Sequence, residues 1–432
     1  MNDLVLVRKG IYHDSVSLMR VSQSLTALPY VEVAIVAMAT ELNLGLARDL
    51  AFELPAAEPA DLFIALRGSD VTSAADELDR LLAVRTTGPA VEQPPRTTRS
   101  AIRSGGDLVL VSVPGEHAFA EALDAVEAGL PVMIFSDGVS LEQEVLLKQR
   151  ATALVMGPDC GTAIVSGAGL GFANVVRPGP VGVVAASGTG AQQVVSLLDL
   201  AGVGVSHVLG TGGRDLSAEV GGASTIRALR MLDDDPGTEL IVLISKPPAP
   251  EAARAVQAVV DSLRTPVVPA LLGTTDLTSA TEEVLRTLGV PVPVWPSWGT
   301  AVKGPITGLY SGGTLCKEAE LIAGSGTFTD FGDDAYTRGR AHPMIDPTLR
   351  LEALERVEPG GVVLMDVVLG HGADPDPAAG LAPAIAASRS AVVVALIGTE
   401  GDPQGLHRQA AALREAGAAV FTSNAQAVRS LL

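Results

Sequence analysis

Short apolar runs alternate with stretches of helical period along nearly the whole chain, the pattern of strands buried in a sheet and of the helices that cover it. Residues 2–90 read β-α-β-α-β-α. LVLVRKGIYHDS leads into a helix, VEVAIVAMA is a strand, a second helix ends near Leu54, DLFIALRGS is a strand and residues 74–83 are helical. The polar stretch TTGPAVEQPPRTTRSAIRSGG reads as a linker. From Asp107 the alternation resumes with DLVLVSV, a helix over 117–128, PVMIFSD, a helix over 141–149 and ALVMG, which runs into Pro158-Asp159-Cys160-Gly161-Thr162. Residues 180–290 add the strands VGVVAAS, VSHVLGTGG, ELIVLIS and TPVVPALLG, with helices starting at Gly190, Thr225, Glu251 and Ala280. After the Pro-rich VPVPVWPSWGTAVKGP come ITGLYSGG, a helix, a polar irregular stretch over 324–347, GGVVLMDVVLGHG, a helix, AVVVALIGTEGDP, a helix from Gly405 and AAVFTSN. The fold class is therefore α/β, built from several open parallel-sheet units with helices on both faces. The expected domains are residues 1–90, 105–176, 177–292 and 303–432.

Two strand-to-helix turns stand out, Ser187-Gly188-Thr189-Gly190 and Ser311-Gly312-Gly313-Thr314. A helix start offers unpaired N–H groups and partial positive charge, and glycine lets an anion come close. The last two domains repeat one another around these turns. Ser187-Gly188 aligns with Ser311-Gly312, Gly210-Thr211-Gly212-Gly213 with Gly370-His371-Gly372-Ala373, and Ser245-Lys246 with Gly398-Thr399. Two such units can bring two helix starts to one phosphate or carboxylate.

Composition narrows the partners. The 432 residues are 47% hydrophobic and carry a formal charge of -19, with no cluster of Lys or Arg, which argues against nucleic acid and anionic membranes. Anions must then be held by local groups, such as Arg214, Lys246 and Lys317. Two cysteines, Cys160 and Cys316, fit a reducing compartment; the start MNDLVLVRKG lacks a signal-type apolar region, so a cytoplasmic location is expected.

The order Val113-Pro114, Asp137-Gly138-Val139, Gly157-Pro158-Asp159-Cys160-Gly161, VGVVAASGTG and GTGGRDLS resembles the α subunit of succinyl-CoA synthetase. The last stretch resembles the carboxy-terminal ligase domain of its β subunit. With LVRKGIYHDSVSLM, LYSGGTLC, HPMIDP and GHGADPDPA, the whole length resembles the FdrA family of acyl-CoA-synthetase-like proteins. The resemblance implies a Rossmann-like CoA-binding-type domain followed by two flavodoxin-like ligase domains. It also implies a role as a component of oxamate carbamoyltransferase, which interconverts oxamate and carbamoyl phosphate with oxalurate and phosphate. The stretch TPVVPALLGTTDLTSATEEV lacks the histidine that carries the phosphoryl group in the synthetase, and no large block remains for its ATP-grasp region. Carbamoyl or acyl transfer through an acyl phosphate is the leading expectation. An acyl-CoA synthetase and a non-catalytic CoA- or nucleotide-binding subunit are the alternatives.

The candidate catalytic side chains are His371, at a strand end, and His342, beside Arg338 and Arg340. Each has a structural alternative, a loop histidine held by its neighbours. The anion-binding set is Ser187, Gly188, Thr189, Gly190, Ser311, Gly312, Gly313, Thr314, Gly212, Gly213, Arg214 and Lys246. Pro114, Asp137, Gly138, Asp159 and Cys160 form the CoA-type rim. Cys160 and Cys316 read as packing residues before nucleophiles. No metal site is expected. Asp374 and Asp376 could accompany a divalent cation on a phosphate substrate, with an Asx turn as the alternative. The expected partners are a small carboxylate, an acyl phosphate and other subunits in a hetero-oligomer, with a homodimer alongside.

Overall fold

A computed structural model describes residues 2–83, 95, 97–337 and 340–432. The first unit holds β1 (Asn2–Arg8), α1 (Ser15–Thr26), β2 (Val31–Met38), α2 (Glu41–Asp49), β3 (Leu62–Gly68) and α3 (Val71–Ala83). Its strands run in the order β1-β3-β2 with both pairs antiparallel. The alternation matches expectation, yet the sheet is not parallel, because the β1-α1-β2 crossover leaves a gap that β3 fills. The central strand LFIALRG is buried on both faces. Leu18, Leu25 and Leu78 pack on one side of the sheet, and Leu44, Ala47 and Phe52 on the other.

Part of the expected linker is a helix, α4 (Thr98–Ile102). Thr97 and Ser100 form a capping box there, and Arg99 pairs with Asp124. The rest of that linker lies largely outside the described residues. The second unit is a parallel sheet of β4 (Val109–Val111), β5 (Val132–Ile134) and β6 (Val155–Met156), joined through α5 (Gly115–Glu127) and α6 (Leu141–Arg150). The hairpin β7 (Thr162–Val165) and β8 (Ala168–Gly171) leaves this sheet, although it lies within 105–176, and pairs with the next one.

The third unit contains β9 (Pro178–Ala185), α7 (Gly188–Leu200), β10 (Val205–Gly210), α8 (Ala223–Asp234), β11 (Leu240–Ser245), α9 (Pro250–Val260), β12 (Val267–Leu271) and α10 (Leu277–Thr287). The fourth begins with β13 (Ser297–Trp298), β14 (Ile306–Tyr310), α11 (Gly313–Ala323), β15 (Thr327–Asp330), α12 (Asp334–Thr337) and α13 (Thr348–Glu355). It ends with β16 (Val362–Val368), α14 (Pro377–Ala387), β17 (Ala391–Ile397), α15 (Leu406–Glu415), β18 (Ala419–Phe421) and α16 (Asn424–Arg429).

The sheet orders are β12-β11-β9-β10-β7-β8 and β13-β18-β17-β16-β14-β15. In the first, β9 lies between β10 and β11, and in the second, β14 lies between β15 and β16, the doubly wound arrangement with ligand sites at the carboxyl ends. Because β15 occupies part of the stretch expected to be irregular, the repeat aligns differently from the sequence-based match. The turn after β10 corresponds to Asp330 and its successors, and Lys246 after β11 corresponds to the turn with His371 after β16.

These two units share one apolar cluster. Helix α7 is buried from Gly190 to Leu198. Gln193 donates to the Thr422 carbonyl at 3.0 Å and accepts the Asn424 N–H at 2.9 Å, so a buried amide is satisfied across the joint.

Candidate functional site

The two glycine-rich helix starts meet. A methyl group on Gly312 would stand 2.7 Å from Thr189 Cγ2 and Oγ1, and one on Gly190 would stand 3.1 Å from Thr314 Cγ2. The starts of α7 and α11 are therefore in van der Waals contact, one from each ligase-like unit.

Their N–H groups are not equally free. Ser187 caps α7, its hydroxyl accepting the Gly190 N–H at 3.0 Å. At α11 the cap position is Gly312, which has no side chain to offer, and Asp366 of β16 binds the turn just before the helix. Its carboxylate accepts the N–H groups of Ser311 at 2.7 Å and Gly312 at 2.9 Å and the Ser311 hydroxyl at 2.9 Å. Arg350 holds Asp366 in turn, through its carboxylate at 3.1 Å and its carbonyl at 2.7 Å. Burial pushes Asp366 above the ordinary carboxylate range, opposed by Arg350 and the Ser311 and Gly312 donors. The expected anion-binding role of Ser311 and Gly312 is thus corrected: an internal carboxylate already uses them. Helix geometry leaves the N–H groups of Gly188, Thr189, Gly313 and Thr314 without intrahelical partners.

Titratable groups surround this joint. Asp330, at the end of β15, places its carboxylate over Gly313 and accepts the Gly332 N–H at 2.9 Å. Burial, with Asp366 and Asp333 nearby, raises it to about 6, against the pull of Lys246. Asp159, in the left-handed region at φ 57°, is also raised to about 6, by burial and then by Asp137 and Asp334, with Arg214 and Lys246 opposing. Lys246 is exposed and makes no ion pair among the described residues. One ammonium therefore acts on carboxylates of the second and fourth units.

His342 completes the cluster. Its Nδ1 accepts the Met344 N–H at 3.2 Å, which assigns the proton of the neutral ring to Nε2. Burial, and then Arg350, lower it to about 4, so it is neutral at physiological pH. The ring packs on Phe172 at 5.5 Å. A methyl group on Gly332 would lie 3.0 Å from His342 Nε2 and 3.1 Å from Asp330 Oδ1, so imidazole N–H and carboxylate flank one spot.

Other candidates are placed differently. His371 is exposed and works through its backbone, donating to the Ala173 carbonyl at 2.8 Å. Arg340 is exposed, and Arg338 lies outside the described residues. Arg214 is not a free cation: it pairs with Glu144 at 2.9 Å and donates to the Val139 carbonyl at 2.8 Å, fastening its loop to the second unit. Gly212 has φ 86° and abuts Pro158, whereas Gly213 borders open space. Behind the rim, Pro114 caps α5 and a side chain on Gly115 would strike Asp137 and Gly138, so these turns are packed together. Cys160 is buried, and burial pushes its thiol up to about 12, which removes it from the rim as a nucleophile. Cys316 is likewise raised to about 12 by burial. Lys317 pairs with Glu320 at 2.7 Å. Asp374 accepts the Asp376 N–H at 2.9 Å, the Asx-turn alternative, and Asp376 binds Gln409 and Arg408 at 2.8 Å.

Asp330, Asp366 and Arg350 escaped the sequence analysis, as did Lys148. Lys148 is buried and donates to Glu144 at 2.7 Å, Asp215 at 2.8 Å and the Thr211 carbonyl at 3.0 Å. Its spacing from Glu144 is that of an ordinary exposed helix pair. Only a strand reading of TFTD would have brought Asp330 to a carboxyl edge.

Two doubly wound units meeting helix start to helix start, behind a small parallel sheet, define an acyl-CoA-synthetase-like protein, and the comparisons agree. Residues 309–431 match the family described as CoA-ligase, and residues 1–95 match the AllF, heavy metal-associated domain. The Uncharacterized protein YahF of Escherichia coli is 37% identical, over 98% of this chain and 97% of that protein. The chain belongs to the family of YahF. The Succinate--CoA ligase [ADP-forming] subunit alpha 2 of Archaeoglobus fulgidus is 28% identical over 35% of this chain and 54% of that subunit. The solved dinucleotide forming Acetyl-coenzyme A synthetase 1 of Ca. Korarchaeum cryptofilum, in complex with phosphate and ADP, aligns over 84% of this chain and 91% of that one. Its identity is 16% and its TM-score 0.35.

Residues 1–95 do not fit the heavy metal in the description of the domain they match. They contain no cysteine and one histidine, His13, whereas soft metals select thiolate, thioether and imidazole donors, and Met19 and Met38 are taken up in apolar packing. Among the described residues, no group of three or more His, Cys, Asp or Glu could hold a metal ion. Among them, too, no helix is long and apolar enough to cross a membrane.

Proposed function

We propose that the protein is an acyl-CoA-ligase-like enzyme that moves an acyl group between phosphate and the thiol of CoA. An acyl phosphate would sit at the joint of α7 and α11, with CoA along the strand ends of the second unit. The observation that carries this reading is the contact of Thr189 with Gly312, which brings the free N–H groups of two helix starts to one place. Similarity to a succinate--CoA ligase subunit supports it.

In this reading the N–H groups of Gly188, Thr189, Gly313 and Thr314, with Lys246, hold the phosphate oxygens. His342 Nε2–H donates to the acyl carbonyl oxygen as negative charge develops there. The thiol sulfur attacks the carbonyl carbon and gives its proton to Asp330. The bond to the phosphate oxygen breaks, and phosphate leaves with the electron pair. Nucleotide chemistry is assigned to partner subunits, and the protein works as a hetero-oligomer.

The test is incubation of the protein with acetyl or succinyl phosphate and CoA, with acyl-CoA measured by chromatography. Formation that disappears in Gly312→Val supports the reading; no acyl-CoA from any short acyl phosphate rejects it. Carbamoyl transfer is the second reading, favoured by the absence of histidine from TPVVPALLGTTDLTSATEEV. Phosphate release from carbamoyl phosphate only when oxamate is present would select it.

A further inference from the structure

We infer that residues 2–83 act in this chain as a wall that positions the loops carrying His342 and His371, in place of the metal-binding task that the description of their family suggests. The inference goes beyond acyl transfer and stands without it. Its negative half rests on the donor set: His13 is the sole histidine of residues 1–95, and cysteine is absent there.

Its positive half rests on one face of α1. Val16, Met19, Arg20 and Gln23 recur at the spacing of a single helical stripe. Val16 and Met19 pack against the apolar cluster shared by the third and fourth units. Gln23 Nε2 donates to the Ile345 carbonyl at 2.9 Å, and Arg20 Nη2 to the Ala373 carbonyl at 3.2 Å. A residue before this stripe, Tyr12, donates to the Ser112 carbonyl at 3.2 Å, at the strand end of β4.

The loops so held are closed on the histidines. The N–H groups of Ile345 and Asp346 donate to the His342 carbonyl at 2.7 and 3.0 Å, while Met344 N–H binds its Nδ1. The Asp374 N–H donates to the Met344 carbonyl at 2.8 Å, joining the two loops. Gln23 and Arg20 thus each grip one of two linked turns, and through them fix the direction of His342 Nε2. They are positioning residues, acting through backbone that they touch.

The experiment uses the full chain with both donors removed, Arg20→Ala/Gln23→Ala, and Thr26→Ala as a control, since Thr26 is exposed on the same helix. Hydrogen exchange of peptides spanning 342–346 and 371–374 should quicken about tenfold in the double variant and not in the control. Burial lowers His342 to about 4; in the double variant its NMR titration should lie closer to the ordinary value for histidine than in the parent. Gln23→Ala alone should do so to a lesser extent, which keeps the test valid if the double variant folds poorly. Equilibrium dialysis against Zn(II) and Cu(I) should leave far less than one metal per chain. Unchanged exchange and titration in both variants would overturn the positioning role. One metal per chain, lost in His13→Ala, would overturn the other half.

Discussion

Thr189, in the first turn of α7, rests against Gly312, the cap of α11, with two of its side-chain atoms 2.7 Å from where a Gly312 side chain would begin. Glycine is required at this position because another helix occupies the space, and the same closeness sets two helix starts side by side.

Gly312→Ala should therefore push the starts apart. Overpacking of this kind costs about 1–3 kcal/mol, and acyl transfer should fall with it. Gly213→Ala, which meets open space, should shift stability by less than about 0.5 kcal/mol. Urea denaturation of both variants, with turnover measured alongside, checks the contrast.

Arg350→Met should destabilise strongly. The Asp366 carboxylate is fully buried and Arg350 is its ion-pair partner; removing one member of a buried pair costs about 3–5 kcal/mol. A fall in Tm together with loss of anion binding is expected, since the α11 start depends on Asp366.

Anion affinity should depend on pH through Asp330. This group sits near 6, above its ordinary value, because burial disfavours its charged form. Above 6 it is an anion facing the site; as pH falls through 6 it becomes neutral and repulsion ends, so sulfate should bind more tightly. In Asp330→Asn this step should shrink, and in Asp330→Asn/Asp159→Asn it should vanish, as read by calorimetry. Stability follows the same sign: the parent should gain as pH falls through 6 toward the unfolded carboxyl value, a gain that Asp330→Asn lacks.

Lys246→Ala should weaken sulfate or acyl phosphate binding and leave stability within about 0.5 kcal/mol, since Lys246 is exposed and unpaired among the described residues. Arg214→Ala should instead lower stability, because it strips Glu144 of a partner. Comparing Tm with binding for the two variants separates a ligand cation from a structural one.

Much of the architecture was legible. The runs VGVVAAS, ELIVLIS, GGVVLMDVV and AVVVALI are apolar over most of their length, as strands covered on both faces are, and each lies in a parallel pairing. Strand TFTD was not legible, because an edge strand of four residues, mostly polar, carries no periodic signal. Missing it shifted the alignment of the repeat and hid Asp330. In the site, the glycine turns were visible as sequence, but their occupancy was not. Asp366 lies inside the apolar run VVLMDVV, where it looks like an interruption, yet it binds the Ser311 and Gly312 N–H groups that lead into α11.

The sequence by itself determined most of the order of strands and helices, the two helix starts and the excess of acidic over basic residues, since periodicity, turn chemistry and charge are local properties of the chain. Only the tertiary structure decided which N–H groups remain free, which carboxylates are raised and which histidine is held neutral. Those properties arise from burial and from neighbours brought in by other units, as Lys246, Asp159 and Asp330 show, and such distances are set by packing alone.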